Sequence, residues 1–524
     1  MTDVSAISTS PLGRANLGDQ LRRHARTLRD KPAFVAYGAD GARRVTTYRE
    51  LDEQANRFAS VLLRHGVRRG DRVAVMARNG VETVAAYFGA LKVGAAFSGI
   101  NVLFGEAEVA GQLSHLEPTV VMTSAEFVPM LDRVRCRVSV RHWFVLGEAT
   151  GGWTSVSELL AGADSGEPDT DVNENDLALV VYTSGTEATP KGVMITHRNY
   201  LISTAPAWGW GLRTGTDDIW LYVMPFHTIA GIGSLTSLLM MGATLVLPAS
   251  TEAGASLRMI CDEGVTAIAQ TPTFYIALAD HESFGPDAVG TVQRCLTYGG
   301  QVSPHAIKAW AKATPRISWG TYWGQSELSQ LGSVGWFRTL EEIPGGDPTW
   351  IGKPVSHLEV RVVDADGADA ETGELLCRSP SVMRGYFKDP ERTAEVLRDG
   401  WVHTGDLVRQ DEEGNLFFVD RLKDMIKTGG LNVSSQEVER ALQAHPDVVR
   451  AAVVGLPDDY WSEAVTAFVI VRPGSTVSGE ELREHCRTSM ANYKVPKAVQ
   501  LVDELPVDPQ GKLLKRELRR ENGG

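Results

Sequence analysis

The sequence predicts an α/β fold: a large N-terminal domain of parallel-rich sheets covered by helices, with a small β region, followed by a small α+β C-terminal domain. Three observations support this prediction. The chain has 524 residues, more than a single hydrophobic core usually serves. Short apolar runs alternate with helical patterns over most of its length. After about residue 355, short strand-like runs separated by turn residues replace this alternation.

The N-terminal part contains short apolar runs that are typical of fully buried strands. They occupy residues 72–76, 176–182, 244–247 and 265–269. The first run is followed by Asn79-Gly80 and by a helical pattern over 81–93. Strands of parallel sheets are buried on both faces because crossover helices cover them. We therefore expect parallel sheets with helices on their faces.

The C-terminal part divides into two sets of elements. The small β region has predicted strands at 358–363, 373–378 and 416–419. The later set has predicted strands at 448–454 and 465–471 and predicted helices at 438–444 and 478–489. The predicted domains are therefore residues 1–419 and residues 420–524.

Charge and cysteine usage narrow the class of protein. The net charge of −13 argues against a nucleic-acid coat or a basic membrane-surface protein. The five cysteines are widely spaced and form no CxxC pair, which favours reduced thiols in a cytoplasmic protein. The N-terminal residues lack the basic and apolar regions of a signal peptide.

One uncharged stretch, residues 221–250, imitates a transmembrane span. Its glycines and hydroxyl residues, and the helix end expected at 241–243, favour a buried helix followed by the strand 244–247. No transmembrane segment is therefore predicted.

The segment Tyr182-Thr-Ser-Gly-Thr-Glu-Ala-Thr-Pro-Lys-Gly-Val193 follows a predicted buried strand. It offers the hydroxyls of Thr183, Ser184 and Thr186, flexible backbone at Gly185, and the charge of Lys191. Hydroxyls, backbone amides and a lysine together suit phosphate oxygens. The spacing from Gly185 to Lys191 excludes a Walker P-loop, which weakens a kinase or ATPase interpretation.

This segment resembles the phosphate loop of the acyl-adenylate-forming superfamily, which includes acyl-CoA synthetases, nonribosomal adenylation domains and firefly-type luciferases. The resemblance is closest to acyl-CoA synthetases and covers nearly the whole chain, because further motifs follow in the expected order. These motifs are Tyr298-Gly-Gly-Gln301, Tyr322-Trp-Gly-Gln-Ser-Glu327, Gly400-Trp-Val-His-Thr-Gly-Asp406, Asp420-Arg-Leu-Lys-Asp-Met-Ile426, Gly429-Gly-Leu-Asn432 and Pro506-Val-Asp-Pro-Gln-Gly-Lys512.

The resemblance implies a nucleotide site at the interface of the two domains. Its expected ATP or AMP contacts are Thr183, Ser184, Gly185, Thr186, Gly299, Gly300, Gln301, Tyr322, Trp323, Ser326, Asp406 and Arg421. Trp323 would stack on adenine, and Asp406 would accept hydrogen bonds from the ribose hydroxyls. The implied catalytic residues are Lys191, Glu327, which would hold Mg²⁺, and Lys512, which would bridge the attacking carboxylate and the α-phosphate.

The resemblance also implies a mobile C-terminal domain that rotates about Asp420 to serve two half-reactions. His227 and Gly324 would line the acyl site, and Gly429 and Gly430 the thiol entry. Ser434-Ser435 stands where a proline is common in the family. Lys515 and Arg516, beyond Lys512, are expected to be surface charges.

The predicted function is ATP- and Mg²⁺-dependent activation of a carboxylic acid to acyl-AMP, followed by transfer to the thiol of coenzyme A. The glycines at 299, 300 and 324 leave room for a sizeable apolar or cyclic acid rather than acetate. One alternative is adenylation alone, with a carrier protein or a separate transferase as acceptor. Another is a non-catalytic nucleotide-binding homologue, which Glu187 and Ala188 favour slightly and the retained Glu327, Asp406 and Lys512 disfavour.

Overall fold

The computed structural model describes residues 15–38, 40–183, 191–297, 304–458, 460–507 and 513–522, and of Thr183 only the backbone. The described residues divide into two compact units. The first lies within Met1–Glu359 and Cys377–Val402, and the second within Val360–Leu376 and His403–Gly524. The chain therefore passes between the units three times, after Glu359, Leu376 and Val402.

The helices are α1 (Leu17–Thr27), α2 (Tyr48–Arg64), α3 (Val81–Lys92), α4 (Glu106–Leu116), α5 (Val128–Arg135), α6 (Val156–Ala161), α7 (His197–Thr204), α8 (Ser234–Met240), α9 (Ala253–Glu263), α10 (Pro272–Ala279), α11 (Pro286–Val289), α12 (Pro304–Ala313), α13 (Pro390–Val396), α14 (Ser435–Gln443), α15 (Gly479–Ser489) and α16 (Lys515–Asn522).

The strands are β1 (Pro32–Tyr37), β2 (Arg43–Thr47), β3 (Arg72–Met76), β4 (Ala96–Gly99), β5 (Val120–Ser124), β6 (His142–Leu146), β7 (Thr154–Ser155), β8 (Leu177–Thr183), β9 (Lys191–Thr196), β10 (Ile219–Leu221), β11 (Thr244–Leu247), β12 (Ala267–Gln270), β13 (Arg294–Thr297), β14 (Ser318–Gln325), β15 (Gln330–Phe337), β16 (Trp350–Pro354), β17 (Glu359–Val363), β18 (Thr372–Arg378), β19 (Gly385–Tyr386), β20 (Leu397–Arg398), β21 (Trp401–Gln410), β22 (Leu416–Arg421), β23 (Ile426–Thr428), β24 (Leu431–Val433), β25 (Val448–Asp458), β26 (Ser462–Val471) and β27 (Ala498–Leu501).

Two sheets organise the first unit. One has the strand order β19-β9-β8-β4-β3-β5-β6-β7, with parallel pairing from β8 through β7. The other runs β16-β15-β14-β13-β12-β10-β11-β1-β2 and is parallel from β14 to β1. In each sheet the parallel part ends at an antiparallel pair. This pair is β8–β9, beside the predicted phosphate loop, in one sheet and β14–β15, beside the motif 322–327, in the other. The predicted parallel-rich α/β architecture is confirmed.

Helices α2 and α3 pack at very short range in this unit. A Cβ atom placed on Gly89 of α3 would lie 2.5 Å from the Cβ of Phe58 and 3.0 Å from the carbonyl oxygen of Ala55. Only glycine permits this approach, since real Cβ atoms do not come so near.

The second unit contains a small β region and a separate α+β body. Strands β17, β18, β21 and β22 are neighbours in that order. Beyond them, β24-β23-β26-β25 form an antiparallel sheet to which β27 adds in parallel. The buried apolar clusters beneath α14, α15 and α16 draw their fully buried members from residues 426–518 alone. The small α+β C-terminal domain is thus confirmed as a fold class, and its boundary at residue 420 stays a prediction.

The uncharged stretch 221–250 folds as expected into a buried helix and strand. Helix α8 ends at Met240, Gly242 takes a φ of +77°, and β11 follows at Thr244–Leu247. Across the described residues, no helix is long and apolar enough to cross a membrane. All five cysteines are unpaired.

Candidate active site

The predicted phosphate loop is carried by a β-hairpin. Strands β8 and β9 are antiparallel, and Thr183 pairs with Lys191 across the hairpin. Tyr182, at the end of β8, shares a hydrogen bond of 2.7 Å with Nδ1 of His115 on α4. The strand end and Lys191 therefore have fixed positions. The loop itself, with Ser184, Gly185 and Thr186, lies outside the described residues, as does the unusual Glu187-Ala188.

Two other groups of predicted residues also lie outside the described part of the chain. They are the glycine motif with Gly299, Gly300 and Gln301, and the catalytic candidate Lys512. Their assigned roles stay predictions.

The motif Tyr322–Glu327 spans the end of β14 and a short 3₁₀ turn, Ser326–Leu328. The pairing of β14 with β15 shifts register between Trp323 and Gly324. A Cβ atom on Gly324 would lie 2.0 Å from the carbonyl oxygen of Gln330, so the strand pairing alone requires glycine here. The indole of Trp323 is only 8 % exposed and lies against Gly332. Any stacking on adenine would use the remaining exposed part of this ring.

Glu327 is held from two directions by one neighbouring segment. The hydroxyl of Tyr386 donates to Oε1 of Glu327 at 2.8 Å, and the backbone N–H of Met383 donates to its carbonyl at 2.8 Å. Burial and the nearby carboxylate both raise the pKa of Tyr386, which keeps the phenol protonated as a donor. Sequence reasoning missed Tyr386, which is 59 positions from Glu327 along the chain.

Asp406 and Arg421, in the second unit, form an ion pair. They are paired residues of β21 and β22, and Nε of Arg421 lies 2.6 Å from Oδ1 of Asp406. Asp406 is fully buried, and its backbone N–H donates to the hydroxyl of Thr404. The guanidinium supplies the positive charge that a buried carboxylate needs. Two residues predicted to contact the nucleotide, Asp406 at the ribose and Arg421 at the ribose or a phosphate, are therefore brought together.

Asp420, the predicted hinge, is also fully buried. Its Oδ1 accepts from the backbone N–H of Arg421 at 2.7 Å. Its Oδ2 accepts from the hydroxyl of Ser435 at 2.8 Å. The Ser434 hydroxyl lies 3.1 Å from Oδ2 and 2.9 Å from the carbonyl of Val419, and its single proton can serve either oxygen. Ser434 caps helix α14, so the carboxylate lies at the positive end of that helix. The two serines that stand where the family commonly has a proline thus place their hydroxyl groups beside this carboxylate.

Lys515 corrects one expectation from the sequence. We expected a surface charge, but the Lys515 side chain is largely buried and pairs with Glu439 at 2.8 Å. The spacing of apolar residues along α14 and α16 predicts which apolar side chains are buried. It does not predict the Lys515–Glu439 pair, because both partners are charged and lie on different helices. Arg516 is half-exposed, in keeping with the expectation.

The loop that contains His227 is held by residues of the parallel sheet. Asn79, after β3, donates to the carbonyl of Met224 at 2.7 Å and accepts from the N–H of Phe226 at 3.0 Å. A Cβ on Gly99 would lie 2.5 Å from Cα of His227, so the end of β4 touches this loop. Burial lowers the pKa of His227 to about 4, which keeps the imidazole neutral near pH 7.

Gly429 and Gly430 form the turn between β23 and β24, with φ values of +57° and +77° that favour glycine. The N–H of Gly429 donates to the carbonyl of Trp461 at 2.7 Å. The Trp461 ring lies beside the turn, with the Lys497 ammonium 4.3 Å from its centroid, and Tyr460 is 82 % exposed. The predicted thiol entry is therefore bordered by Trp461, and this ring in turn contacts Tyr460, 4.8 Å away between centroids, and Lys497.

Comparison with known proteins gives two family matches. The AMP-binding enzyme family matches residues 21–387, and the AMP-binding enzyme C-terminal domain matches residues 437–512. A long-chain-fatty-acid–CoA ligase of Yersinia pestis is 32 % identical over 94 % of this chain and 92 % of its own length. A feruloyl-CoA synthase of an Amycolatopsis species is 33 % identical over 91 % of this chain and 94 % of its own.

Among solved structures, the anthranilate CoA ligase AuaEII in complex with anthranoyl-AMP superposes with a TM-score of 0.86. It is 27 % identical and is covered over 98 % of both chains. The resemblance inferred from the motifs is confirmed, since the family match covers more than half of the sequence. This chain belongs to the AMP-binding enzyme family.

Proposed function

We propose that the protein is an acid–thiol ligase that forms an acyl-AMP from a carboxylic acid and ATP, releases pyrophosphate, and transfers the acyl group to coenzyme A. The observation that carries this proposal is the match to CoA ligases over more than nine-tenths of both chains. The buried Asp406–Arg421 pair and the fixed Glu327 support it.

In the first half-reaction, a carboxylate oxygen of the acid attacks the α-phosphorus as the bond to pyrophosphate breaks. The Asp406 carboxylate is the acceptor for the ribose hydroxyls, and Arg421, which pairs with it at 2.6 Å, orients it. Lys512 supplies positive charge where negative charge builds up in the transition state. Holding acid and nucleotide in line provides much of the acceleration.

Mg²⁺ fits the Glu327 environment. Tyr386 binds Oε1, and no other described side chain donates to this carboxylate. No group of three potential metal ligands exists among the described residues. A magnesium ion would therefore use Glu327 together with phosphate oxygens and water, as it commonly does beside nucleotides. When bound, the ion neutralises phosphate charge, and Glu327 and Tyr386 determine its position.

In the second half-reaction, the thiol of coenzyme A attacks the acyl carbonyl, and AMP leaves. We assign thiol entry to the turn at Gly429 and Gly430. Trp461 and Tyr460 provide flat apolar surface beside it, and Lys497 provides a positive charge suited to the phosphates of coenzyme A. The acyl acceptor in this half-reaction is thus a small-molecule thiol, and a carrier protein is the alternative acceptor. The five unpaired cysteines support the predicted cytoplasmic location, which suits both acceptors.

We propose a sizeable apolar or aromatic acid as the substrate. The relatives named for long-chain fatty acids and for feruloyl-CoA support this class, because both acids have a large apolar body.

The test is carboxylate-dependent ATP–pyrophosphate exchange over a panel of fatty, aromatic and short acids, with consumption of coenzyme A recorded in parallel. Exchange that Lys512→Ala abolishes, together with thiol consumption, is the expected result. Exchange without thiol consumption would replace coenzyme A by a separate acceptor. Failure of exchange with every acid, while ATP still binds, would favour the non-catalytic alternative. A preference for acetate over all larger acids would overturn the substrate class.

A further inference from the structure

Four side chains of the second unit form a continuous buried chain of hydrogen bonds that the reaction scheme above does not use. Lys515 donates to the hydroxyl of Ser435 at 2.6 Å, and Ser435 donates to Oδ2 of Asp420 at 2.8 Å. Lys515 also pairs with Glu439 at 2.8 Å. Glu439 in turn accepts from the backbone N–H of Val453 at 2.8 Å.

The direction of this chain is fixed by chemistry. An ammonium group can only donate hydrogen bonds, and a carboxylate can only accept them. The Ser435 hydroxyl must therefore accept from Lys515 and give its single proton to Asp420. Ser435 and Asp420 are fully buried, so water does not substitute readily for either contact.

One buried cation thereby serves two carboxylates. Burial raises the pKa of Glu439, and Lys515 opposes that shift by stabilising the charged form. Asp420 receives the same cation indirectly, through Ser435. Neither carboxylate is exposed enough for surrounding salt to replace Lys515.

The cation also lies at the base of the loop that carries Lys512. Val507 and Leu513 form an isolated antiparallel bridge, and the N–H of Leu514 donates to the carbonyl of Pro506 at 2.9 Å. These contacts close the base of the loop, and Lys515 begins helix α16 directly after it. The hydrogen-bonded chain therefore joins the base of this loop to Asp420.

We propose that Ser435 and Lys515 are positioning residues for adenylation, which fix the base of the Lys512 loop relative to the buried Asp420. This inference rests on the proposed function, because Lys512 is assigned there to the attack on the α-phosphorus. Both residues act through Lys512 and Asp420 and touch no substrate. Their loss should reduce turnover in the step that uses Lys512 and leave substrate affinity nearly unchanged.

The test uses the full chain and the acid that gives the strongest exchange. Ser435→Ala should lower the turnover of pyrophosphate exchange roughly tenfold, the effect of losing one hydrogen bond to a charged group. The KM values for ATP and acid, and single-turnover transfer from preformed acyl-AMP to coenzyme A, should change less than about twofold. Ser435→Thr keeps the hydroxyl and should restore exchange.

Lys494→Met is the matched control. Glu437 lies on helix α14 like Ser435, and Lys494 pairs with its carboxylate at 2.7 Å. Among the hydrogen bonds described, neither of these two side chains contacts Ser435 or Asp420. This variant should lose some thermal stability and keep its exchange rate. Lys515→Met, which removes the ammonium, provides a second disrupting variant should Ser435→Ala fold poorly, and it should lower exchange turnover at least tenfold. Lys515→Arg, which retains the charge, should keep at least half of the exchange rate.

Unchanged exchange in Ser435→Ala would overturn the inference. So would an equal loss of both half-reactions that matches the loss of folded protein, because that pattern reports a merely structural role. The wild-type protein and Lys512→Ala test the proposed function separately, so failure of the inference leaves that function standing.

Discussion

The side chain of Glu327 shows how a site residue depends on a neighbour that is remote in sequence. Tyr386→Phe removes the hydroxyl that donates to Oε1 at 2.8 Å and leaves the ring in place. We expect the Mg²⁺ concentration for half-maximal exchange to rise roughly tenfold, since the carboxylate loses one strong hydrogen bond. A magnesium titration of the exchange assay measures this.

Tyr48→Phe is a suitable comparison for that variant. Tyr48 is fully buried and donates to the carbonyl of Ala243 at 2.7 Å, so its loss should affect stability alone. An identical magnesium requirement in Tyr386→Phe and wild type would remove the role assigned to Tyr386.

At this scale the sequence identified the residues of the motifs and missed the residues that hold them. Asp406, Arg421 and Glu327 could be named because each stands in a recognisable local pattern. Tyr386 and Asn79 could not be, because a contact between distant positions leaves no periodicity in one sequence. Lys515 was wrongly assigned to the surface, since a charged residue in a basic run is usually solvated.

The contact between helices α1 and α7 should make the free energy of unfolding depend on pH. Nδ1 of the fully buried His197 accepts from the backbone N–H of Leu17 at 3.2 Å, so the native contact needs a neutral imidazole. Burial lowers the pKa of His197 from 6.5 to about 4. Between pH 6.5 and 4, His197 is protonated in the unfolded chain and neutral in the native state. The stabilisation of the fold that is present above pH 6.5 is therefore lost as the pH falls toward 4.

The expected contribution of His197 between pH 7 and 5.5 is about 1 kcal/mol of unfolding free energy. His197→Asn retains an acceptor near Leu17 and should reduce the acid sensitivity by that amount in urea unfolding at the two pH values. His305→Asn, at an exposed position, serves as the control. Equal pH dependence in wild type and His197→Asn would contradict the assignment.

The contact between helices α2 and α3 gives a second prediction for the elements. Gly89→Ala places a methyl group where the Cβ of Phe58 lies 2.5 Å away, so we expect a loss of about 2 kcal/mol in unfolding free energy. Gly111→Ala in α4 is the opposite case, because nothing lies within 4 Å of its Cβ position. That variant should gain about 0.5–1 kcal/mol from helix propensity. Denaturant midpoints of the two variants should therefore move in opposite directions.

The elements themselves were largely predictable. The strands at 72–76 and 244–247 match the structure to the residue, because short apolar runs between turn residues define their ends. The strands at 448–458 and 462–471 extend beyond the predicted runs. The added residues include Pro457, Asp458 and Ser462, which rarely occur in strands, and they pair across a long hairpin, which is a tertiary interaction that local composition does not encode.

For the whole molecule, we predict that residues 420–524 fold on their own. The fully buried members of both apolar clusters in this segment lie between Ile426 and Leu518, so the core needs no residue from elsewhere. The isolated fragment should show native-like circular dichroism and one cooperative urea transition. A broad transition without fixed tertiary signals would show that the segment depends on the rest of the chain.

The linear division at residue 420 did not anticipate that residues 360–376 pack in the second unit. A sequence read in order shows where composition changes, and it does not show a chain that leaves one body and returns to it. Both strands of that excursion, β17 and β18, were recognised as strands, but their partners β21 and β22 lie further along the chain.

The three passages of the chain between the units also constrain the domain movement predicted for the two half-reactions. The second unit as a whole is joined to the first by three backbone connections, and a large rotation would have to change the backbone angles of all three together. Every one of these connections precedes Asp420, so the segment after Asp420 is joined to the rest of the chain by a single backbone connection. One backbone position can therefore act as its pivot, and a single proteolytic cut beside that position would release the whole segment.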